Sequence, residues 1–291
     1  MLSSMLKRLC LLIAVSSLPF AQAGGPPSKL VVGLLPGESA PTVMRLNEPL
    51  RAYLEKQLGM PVELVVGANY AATGEALRFG RIDIAYLGPV TYILQAKRAK
   101  LEPFARPSHD AVGPTFQAVI IVPADSRANS LADLKNRDIA FGDPASTSGT
   151  WVPRYMLAEA GLVSGRDYEL RVLGAHDAVA LAVAGHKVAA GGLSMPIFRR
   201  LLDEGKIKAG SVRVLAESPP IPEYMWTFRQ GLEPAVKEKI RRAFINIDDP
   251  DALKVFRARS FIAAEDSDVD LVRHWIDVIS RERPDALDIV R

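Results

Sequence analysis

Asp143-Pro144-Ala145-Ser146-Thr147-Ser148-Gly149-Thr150-Trp151 is the stretch whose reading decides this chain. A short strand-like run, Asp138 to Gly142, leads into it. A helical run, Val152 to Ala160, follows and stops at Gly161. The stretch is therefore a strand-to-helix turn made of small hydroxyl residues and glycine. The start of a helix leaves backbone N–H groups without partners and carries partial positive charge. Ser and Thr add hydroxyl donors at the same place, and a glycine lets a ligand approach the backbone. Such a turn can hold a tetrahedral oxyanion with neither lysine nor metal. An ordinary N-cap has the same residue types, so spacing alone leaves both readings open.

The chain around it is built for export. Lys7 and Arg8 precede an apolar run, Leu9 to Val15, that is too short to span a bilayer. Ala21-Gln22-Ala23 follows as a small-x-small cleavage pattern. Residues 1–23 are thus expected to be a signal peptide, removed after Ala23. Cys10 is the only cysteine and lies at the start of the apolar run, away from the cleavage site, which argues against a lipid anchor. The mature chain then has no thiol and no disulfide. The net charge of +3 falls to about +1 when Lys7 and Arg8 leave, and no basic cluster suited to nucleic acid appears. No later run approaches a membrane span.

The length of 291 residues suits two compact domains. Strands are expected over Lys29 to Leu35, Val62 to Val66, Ile82 to Leu87, Gln117 to Val122, Tyr168 to Leu173, Val188 to Ala190, Val212 to Leu215 and Met225 to Phe228. Helices alternate with them. The first carries Leu46, Leu50, Leu54 and Leu58 at four-residue spacing and stops at Gly59. Leu101 to Pro114 reads as a connection, Glu217 to Pro222 as a stiff connector, and the stretch after Phe228 as helical. Strand–helix alternation predicts an α/β architecture of mostly parallel sheets. The two Pro-marked connections suggest two lobes joined by hinge strands: 24–116 with 217–291, and 117–216. Ligands of open α/β sheets lie beyond the carboxyl ends of the strands. The turns at Pro36, Asn69-Tyr70, Gly88-Pro89, Asp143 to Thr150, Gly174-Ala175-His176 and Gly191 to Ser194 would then converge on a cleft.

Phe141 to Gly149 followed by Val152-Pro153-Arg154-Tyr155-Met156-Leu157 resembles the signature of the phosphate/phosphite/phosphonate substrate-binding family, the periplasmic receptors of ABC importers. Val32-Gly33-Leu34-Leu35-Pro36, Asn69-Tyr70-Ala71-Ala72, Ala85 to Tyr92 and Gly174 to Ala178 extend the likeness over nearly the whole mature chain. The resemblance implies the two-lobed periplasmic binding protein fold of type II, with a hinged cleft. It implies that Ser146, Thr147 and Ser148 hold oxygens, that Tyr70 and Tyr92 donate from the first lobe, and that His176 donates from the second. Asp143 would hold the turn, since a carboxylate beside a bound dianion repels it. Tyr86 is expected on a strand face, and His109, His186 and His274 show no partner pattern.

Aminoalkylphosphonate receptors of the family place a carboxylate in the turn that here reads Ser194-Met195-Pro196. This chain has none there and resembles the phosphite-binding branch. Phosphite carries a P–H, which suits an apolar wall, and Tyr224, Trp226 or Trp151 could supply one. The resemblance therefore implies a periplasmic, monomeric solute receptor for phosphite or a close phosphorus oxyanion. It would deliver its ligand to a membrane ABC permease and have no cofactor, metal, nucleic-acid partner or membrane anchor. An alkyl- or aminoalkylphosphonate receptor and a periplasmic sensor partner are the alternatives. An enzyme is disfavoured: no zinc-spaced ligand set, phosphate-loop lysine or Ser-His-Asp pattern is present.

Overall fold

The computed structural model describes residues 27–282, so the expected signal peptide and Cys10 lie outside the described residues. The chain opens with β1 (Leu30–Leu34), α1 (Ala40–Leu58), β2 (Val62–Val66), α2 (Tyr70–Arg78), β3 (Ile84–Leu87), α3 (Pro89–Ala96), β4 (Glu102–Ser108) and β5 (Thr115–Phe116). A second unit follows: β6 (Ala118–Pro123), β7 (Arg137–Gly142), α4 (Val152–Glu159), β8 (Tyr168–Gly174), α5 (His176–Ala184), β9 (Ala190–Ser194), α6 (Met195–Asp203) and β10 (Val212–Glu217). The chain then returns through β11 (Ile221–Pro222), β12 (Met225–Phe228), α7 (Pro234–Ile245), α8 (Pro250–Lys254), β13 (Ser260–Ile262) and α9 (Asp270–Glu282).

One sheet has the order β13-β4-β12-β3-β1-β2 and the other β10-β6-β9-β7-β8. β5 and β11 form a short antiparallel pair between them, Ile221 opposite Phe116, where the chain crosses from lobe to lobe. The architecture is α/β and two-lobed, but the sheets are mixed rather than mostly parallel. β12 enters lobe 1 from the crossing and runs antiparallel to both β3 and β4; β6 enters lobe 2 the same way and runs antiparallel to β9 and β10. Each lobe thus keeps a parallel core (β1, β2, β3 and β7, β8, β9) beside a strand laid down by the hinge.

Three local readings change. Leu101 to Pro114 contains β4, an internal strand, although Pro103 and Pro107 argue for a loop. The β12–β4 register shifts beside Thr227, the partner of Pro103, which accommodates the missing N–H. The stretch after Phe228 includes β13 as well as helices. Gly191 and Gly192 lie inside β9 instead of in a turn, because α4 and α5 press on the strand there. A Cβ on Gly192 would meet Pro153 Cβ at 2.7 Å, and one on Gly191 would meet Val179 Cγ1 at 2.5 Å.

α1 buries Leu50, Leu54 and Leu58 of the expected stripe, with Leu46 only half-buried, and Gly59, with φ of 63°, ends it by donating to the Glu55 carbonyl. α9 packs against both α3 and α4, with Trp275 stacked on Tyr155 at 5.4 Å between ring centres, so the last helix touches both lobes.

Gly191→Ala is expected to destabilise the protein by about 1–3 kcal/mol through overpacking against Val179 and Val183. The urea midpoint of unfolding checks this, and an unchanged midpoint would contradict the packing described.

Candidate functional site

The turn after β7 is organised by Asp143. Its Oδ1 accepts the Ala145 N–H at 2.8 Å, and its carbonyl accepts the Ser146 N–H and the Thr150 hydroxyl, both at 2.8 Å. Ser146 caps the next turn by accepting the Gly149 N–H at 3.0 Å. That turn is wide: the Trp151 N–H reaches back to the Ser146 carbonyl at 3.1 Å, one residue further than in an α-helix. Wide turns of this kind gather at functional sites. The first N–H groups, at Thr147 and Ser148, have no upstream helical carbonyl to meet. Ser146, Thr147 and Ser148 are fully buried, and the Ser148 hydroxyl has no hydrogen-bond partner.

Lobe 1 meets this turn directly. The Tyr70 N–H donates to Asp143 Oδ2 at 3.0 Å, the Val90 N–H to the Thr147 hydroxyl at 3.0 Å, and the Thr91 hydroxyl to the Ala145 carbonyl at 3.1 Å. On the other side of the cleft, the His176 N–H donates to the Gly37 carbonyl at 2.9 Å, and Arg200 pairs with Glu38. These contacts bridge the two lobes.

His176 opens α5 and is almost wholly buried. Its Nδ1 accepts the Ser194 N–H at 3.2 Å, so the ring proton sits on Nε2. Burial lowers its pKa to about 4, so the ring is neutral at neutral pH. Two glycines make room for the ring. A Cβ on Gly149 would lie 2.8 Å from His176 Cε1 and 2.9 Å from Ser146 Oγ; one on Gly37 would lie 3.5 Å from His176 Cδ2 and 3.0 Å from the Tyr70 hydroxyl. The edges of the ring therefore lie beside both glycines, close to Ser146 and the Tyr70 hydroxyl.

Tyr224 reaches the same space from the segment joining β11 to β12, its ring lying on the Gly88 backbone. Its hydroxyl stands near those of Tyr70, Ser148 and Ser146 without a hydrogen bond to Ser148. Burial pushes Tyr224 up to about 12 and Tyr70 well above the ordinary phenol value. Both are neutral O–H donors. The result is a closed set of uncharged donors: Ser146, Ser148, Tyr70, Tyr224, His176 Nε2 and the turn's N–H groups.

Of the residues expected from sequence, Tyr70, Ser146, Ser148, His176 and Tyr224 converge. Thr147 is in the same turn, but its oxygen receives the Val90 N–H, leaving only its own proton to offer. Tyr92 does not join them: its hydroxyl donates to Asp266 Oδ1 at 2.6 Å, and Arg273 grips the same oxygen at 2.6 Å. That chain fastens α3 to the C-terminal segment. Trp226 is core, stacked on Tyr86 at 5.0 Å and tilted against Phe244 at 4.9 Å, and Trp151 packs in the interior with its indole N–H on the Pro144 carbonyl at 2.7 Å. Neither forms a wall of the site, so only Tyr224 remains of the expected aromatics. Tyr86 lies on its strand face as anticipated. Sequence reasoning named the turns at Pro36 and Gly88-Pro89 but missed the close packing at Gly37 and the Glu38–Arg200 pair.

Residues 32–269 match the model of the ABC transporter, phosphonate, periplasmic substrate-binding protein family. The chain belongs to that family. It is a periplasmic, non-catalytic solute-binding protein of an ABC importer for a small phosphorus oxyanion. It is 30% identical over 285 residues to a phosphate-import protein of Mycolicibacterium smegmatis, covering 90% of this chain and 89% of that one. The phosphonates-binding periplasmic protein of Escherichia coli is 31% identical over 218 residues, 74% of this chain and 64% of that protein. A solved binding protein component of an ABC phosphonate transporter from Pseudomonas aeruginosa superposes with a TM-score of 0.80 at 26% identity, over 87% of each chain. Among the described residues no helix is long and apolar enough to cross a membrane, and no group of metal-ligating side chains is assembled.

The depressed His176 pKa has a stability consequence. The unfolded chain takes up the proton near pH 6.5 and the folded one only near pH 4. The stability that this difference provides is complete above ~6.5 and declines as pH falls to about 4, by about 3 kcal/mol in all. Urea titrations of the ligand-free protein across that window, compared with His176→Gln, should show a steeper acid loss in the wild type; parallel curves would contradict a buried neutral ring.

Proposed function

We propose that the site captures phosphite or a short alkylphosphonate such as methylphosphonate, as a monomer, and that ligand binding completes cleft closure for recognition by the permease. The observation that carries this reading is the state of the carboxylates around the donors. Asp143 accepts N–H groups with both oxygens. The charge of Glu38 is met by Arg200, and that of Glu223 by His109 at 2.9 Å. Asp177 accepts the Ala178 N–H at 2.8 Å. Asp143 and Glu223 have both oxygens engaged by the protein and Glu38 already faces a cation, which leaves Asp177 alone without one and disfavours an aminoalkylphosphonate. The close spacing around Gly37 and Gly149 favours a small anion.

A phosphate reading also has support. The Mycolicibacterium relative is named for phosphate import, and the site offers hydroxyls from both lobes. A fourth oxygen left without a donor costs about 1–3 kcal/mol, roughly ten- to hundredfold in affinity. Whether Tyr224 serves that oxygen or borders a P–H or P–CH3 group separates the two.

Binding should proceed by population shift. Each lobe carries part of the donor set, so an anion bonded to both favours the closed form over any open one.

Calorimetric titration of the mature, ligand-stripped protein with phosphite, methylphosphonate, 2-aminoethylphosphonate and phosphate tests the assignment. Tight binding of the first two over the others is expected. A preference for 2-aminoethylphosphonate would refute the argument from the carboxylates, and a preference for phosphate would install the second reading.

Ser148→Ala should weaken the best ligand about ten- to hundredfold while leaving the thermal midpoint unchanged, because its hydroxyl has no partner within the protein. Undiminished affinity would remove Ser148 from the site.

A further inference from the structure

His109 follows β4, where the backbone of lobe 1 turns toward the β5–β11 crossing. Its two ring nitrogens face two oxygens. Nδ1 lies 2.9 Å from the Arg257 carbonyl, and Nε2 lies 2.9 Å from Glu223 Oε1. Both oxygens are acceptors. A neutral imidazole has one N–H and would leave its other nitrogen lone pair against an oxygen. With Glu223 ionised, both contacts are hydrogen bonds only when each nitrogen carries a proton, that is, when the ring is an imidazolium.

Glu223 carries this charge onward. It is buried, and its second oxygen accepts the Tyr224 N–H at 3.1 Å and stands 3.5 Å from the Tyr86 hydroxyl. The Tyr86 and Tyr224 rings are in contact, with centres 5.3 Å apart. The main chain of Tyr224 is thus held by the carboxylate that the imidazolium neutralises. The remaining charges around His109 are engaged elsewhere. Asp110, next to it in the loop, pairs with Arg259 at 3.0 Å, and the Arg257 side chain lies 3.6 Å from Asp203 of lobe 2.

We propose that protonated His109 is a positioning residue for Tyr224, acting through Glu223, and that the site loses affinity when His109 gives up its proton. The proposal rests on the reading of Tyr224 as a ligand donor. Once the ring is neutral, one of its two hydrogen bonds is lost and Glu223 becomes a buried carboxylate with no cation beside it. Such a group must draw in water or move. Either response shifts the Tyr224 main chain and takes its hydroxyl out of register with Tyr70, Ser146 and Ser148. The Glu223 hydrogen bond holds His109 above the ordinary histidine range, so the change falls on the alkaline side of pH 6.5. The anion itself also titrates, but its ionisation affects every variant alike and cancels in a ratio of affinities.

The experiment measures the Kd of phosphite and methylphosphonate for wild type, His109→Gln and Glu223→Gln, at intervals from about pH 6 to about pH 9. Near pH 6 the wild type should bind about tenfold more tightly than either variant, the scale of one hydrogen bond to a charged group. Near pH 9 the three should converge. A ratio that stays constant across the range overturns the proposal. Nitrogen NMR of the ligand-free wild type supplies a reading that needs no variant: both His109 ring nitrogens should be protonated near pH 6, and a bare nitrogen overturns it. If the wild type binds no phosphorus anion at any pH, the reading of the site itself fails and the proposal falls with it. Binding with a flat ratio removes only the role of His109.

Discussion

The Asp143 carboxylate is the contact on which the site depends. One oxygen shapes the Ser146–Ser148 turn through Ala145, and the other takes the Tyr70 N–H from the opposite lobe. One side chain therefore sets the geometry of the turn and its distance from the first tyrosine. Burial raises the Asp143 pKa, and the Tyr70 and Ala145 N–H groups offset part of that rise. That arrangement also explains how a carboxylate can stand beside a site for an anion. Its lone pairs are directed at the backbone, and the hydroxyl and imidazole protons are left to face the ligand.

The donors that remain are all uncharged. His176 is held neutral by burial, and Tyr70 and Tyr224 keep their protons for the same reason. Oriented N–H and O–H dipoles in a water-excluded space can replace a hydration shell without contributing a formal charge. Such a set reads shape and hydrogen-bond count more finely than net charge. The glycines serve the same end. Gly37 and Gly149 have no Cβ because His176 and Tyr70 occupy the space that one would fill, and Gly88 is bare because the Tyr224 ring lies on it.

Much of this was legible in the sequence because the informative residues are local. The Ser146–Ser148 turn, the Asn69-Tyr70 helix start and the Gly174–His176 turn each combine a strand end with a helix start, and the strand boundaries followed from runs of β-branched residues. What was not legible depends on pairs far apart in the chain. Tyr92 looks like a site residue until Asp266, 174 positions away, claims its hydroxyl. His109 shows no partner in its own neighbourhood because Glu223 lies 114 positions on. Trp226 reads as a wall residue in sequence, and only its packing against Tyr86 and Phe244 puts it in the core. β4 was hidden by its two prolines, whose local signal is overridden by pairing to β12 and β13 on either side.

The cross-cleft contacts divide into two kinds with different physical consequences. Around Asp143 and Thr147 they are hydrogen bonds between groups that would otherwise meet water, so each has a small net value in the closed form. At the opposite rim, Arg200 meets a Glu38 whose carboxylate is buried and whose Oε1 has no partner. Burial raises the Glu38 pKa against the pull of Arg200, which shows desolvation outweighing attraction there. A buried ion pair of this kind contributes little to the depth of the closed state, but it penalises any closure that misaligns it. The rim therefore specifies the register of the lobes, and the energy that favours closing must come from the centre. There, the unpartnered Ser148 hydroxyl and the other donors gain their interactions only when an anion joins the two lobes.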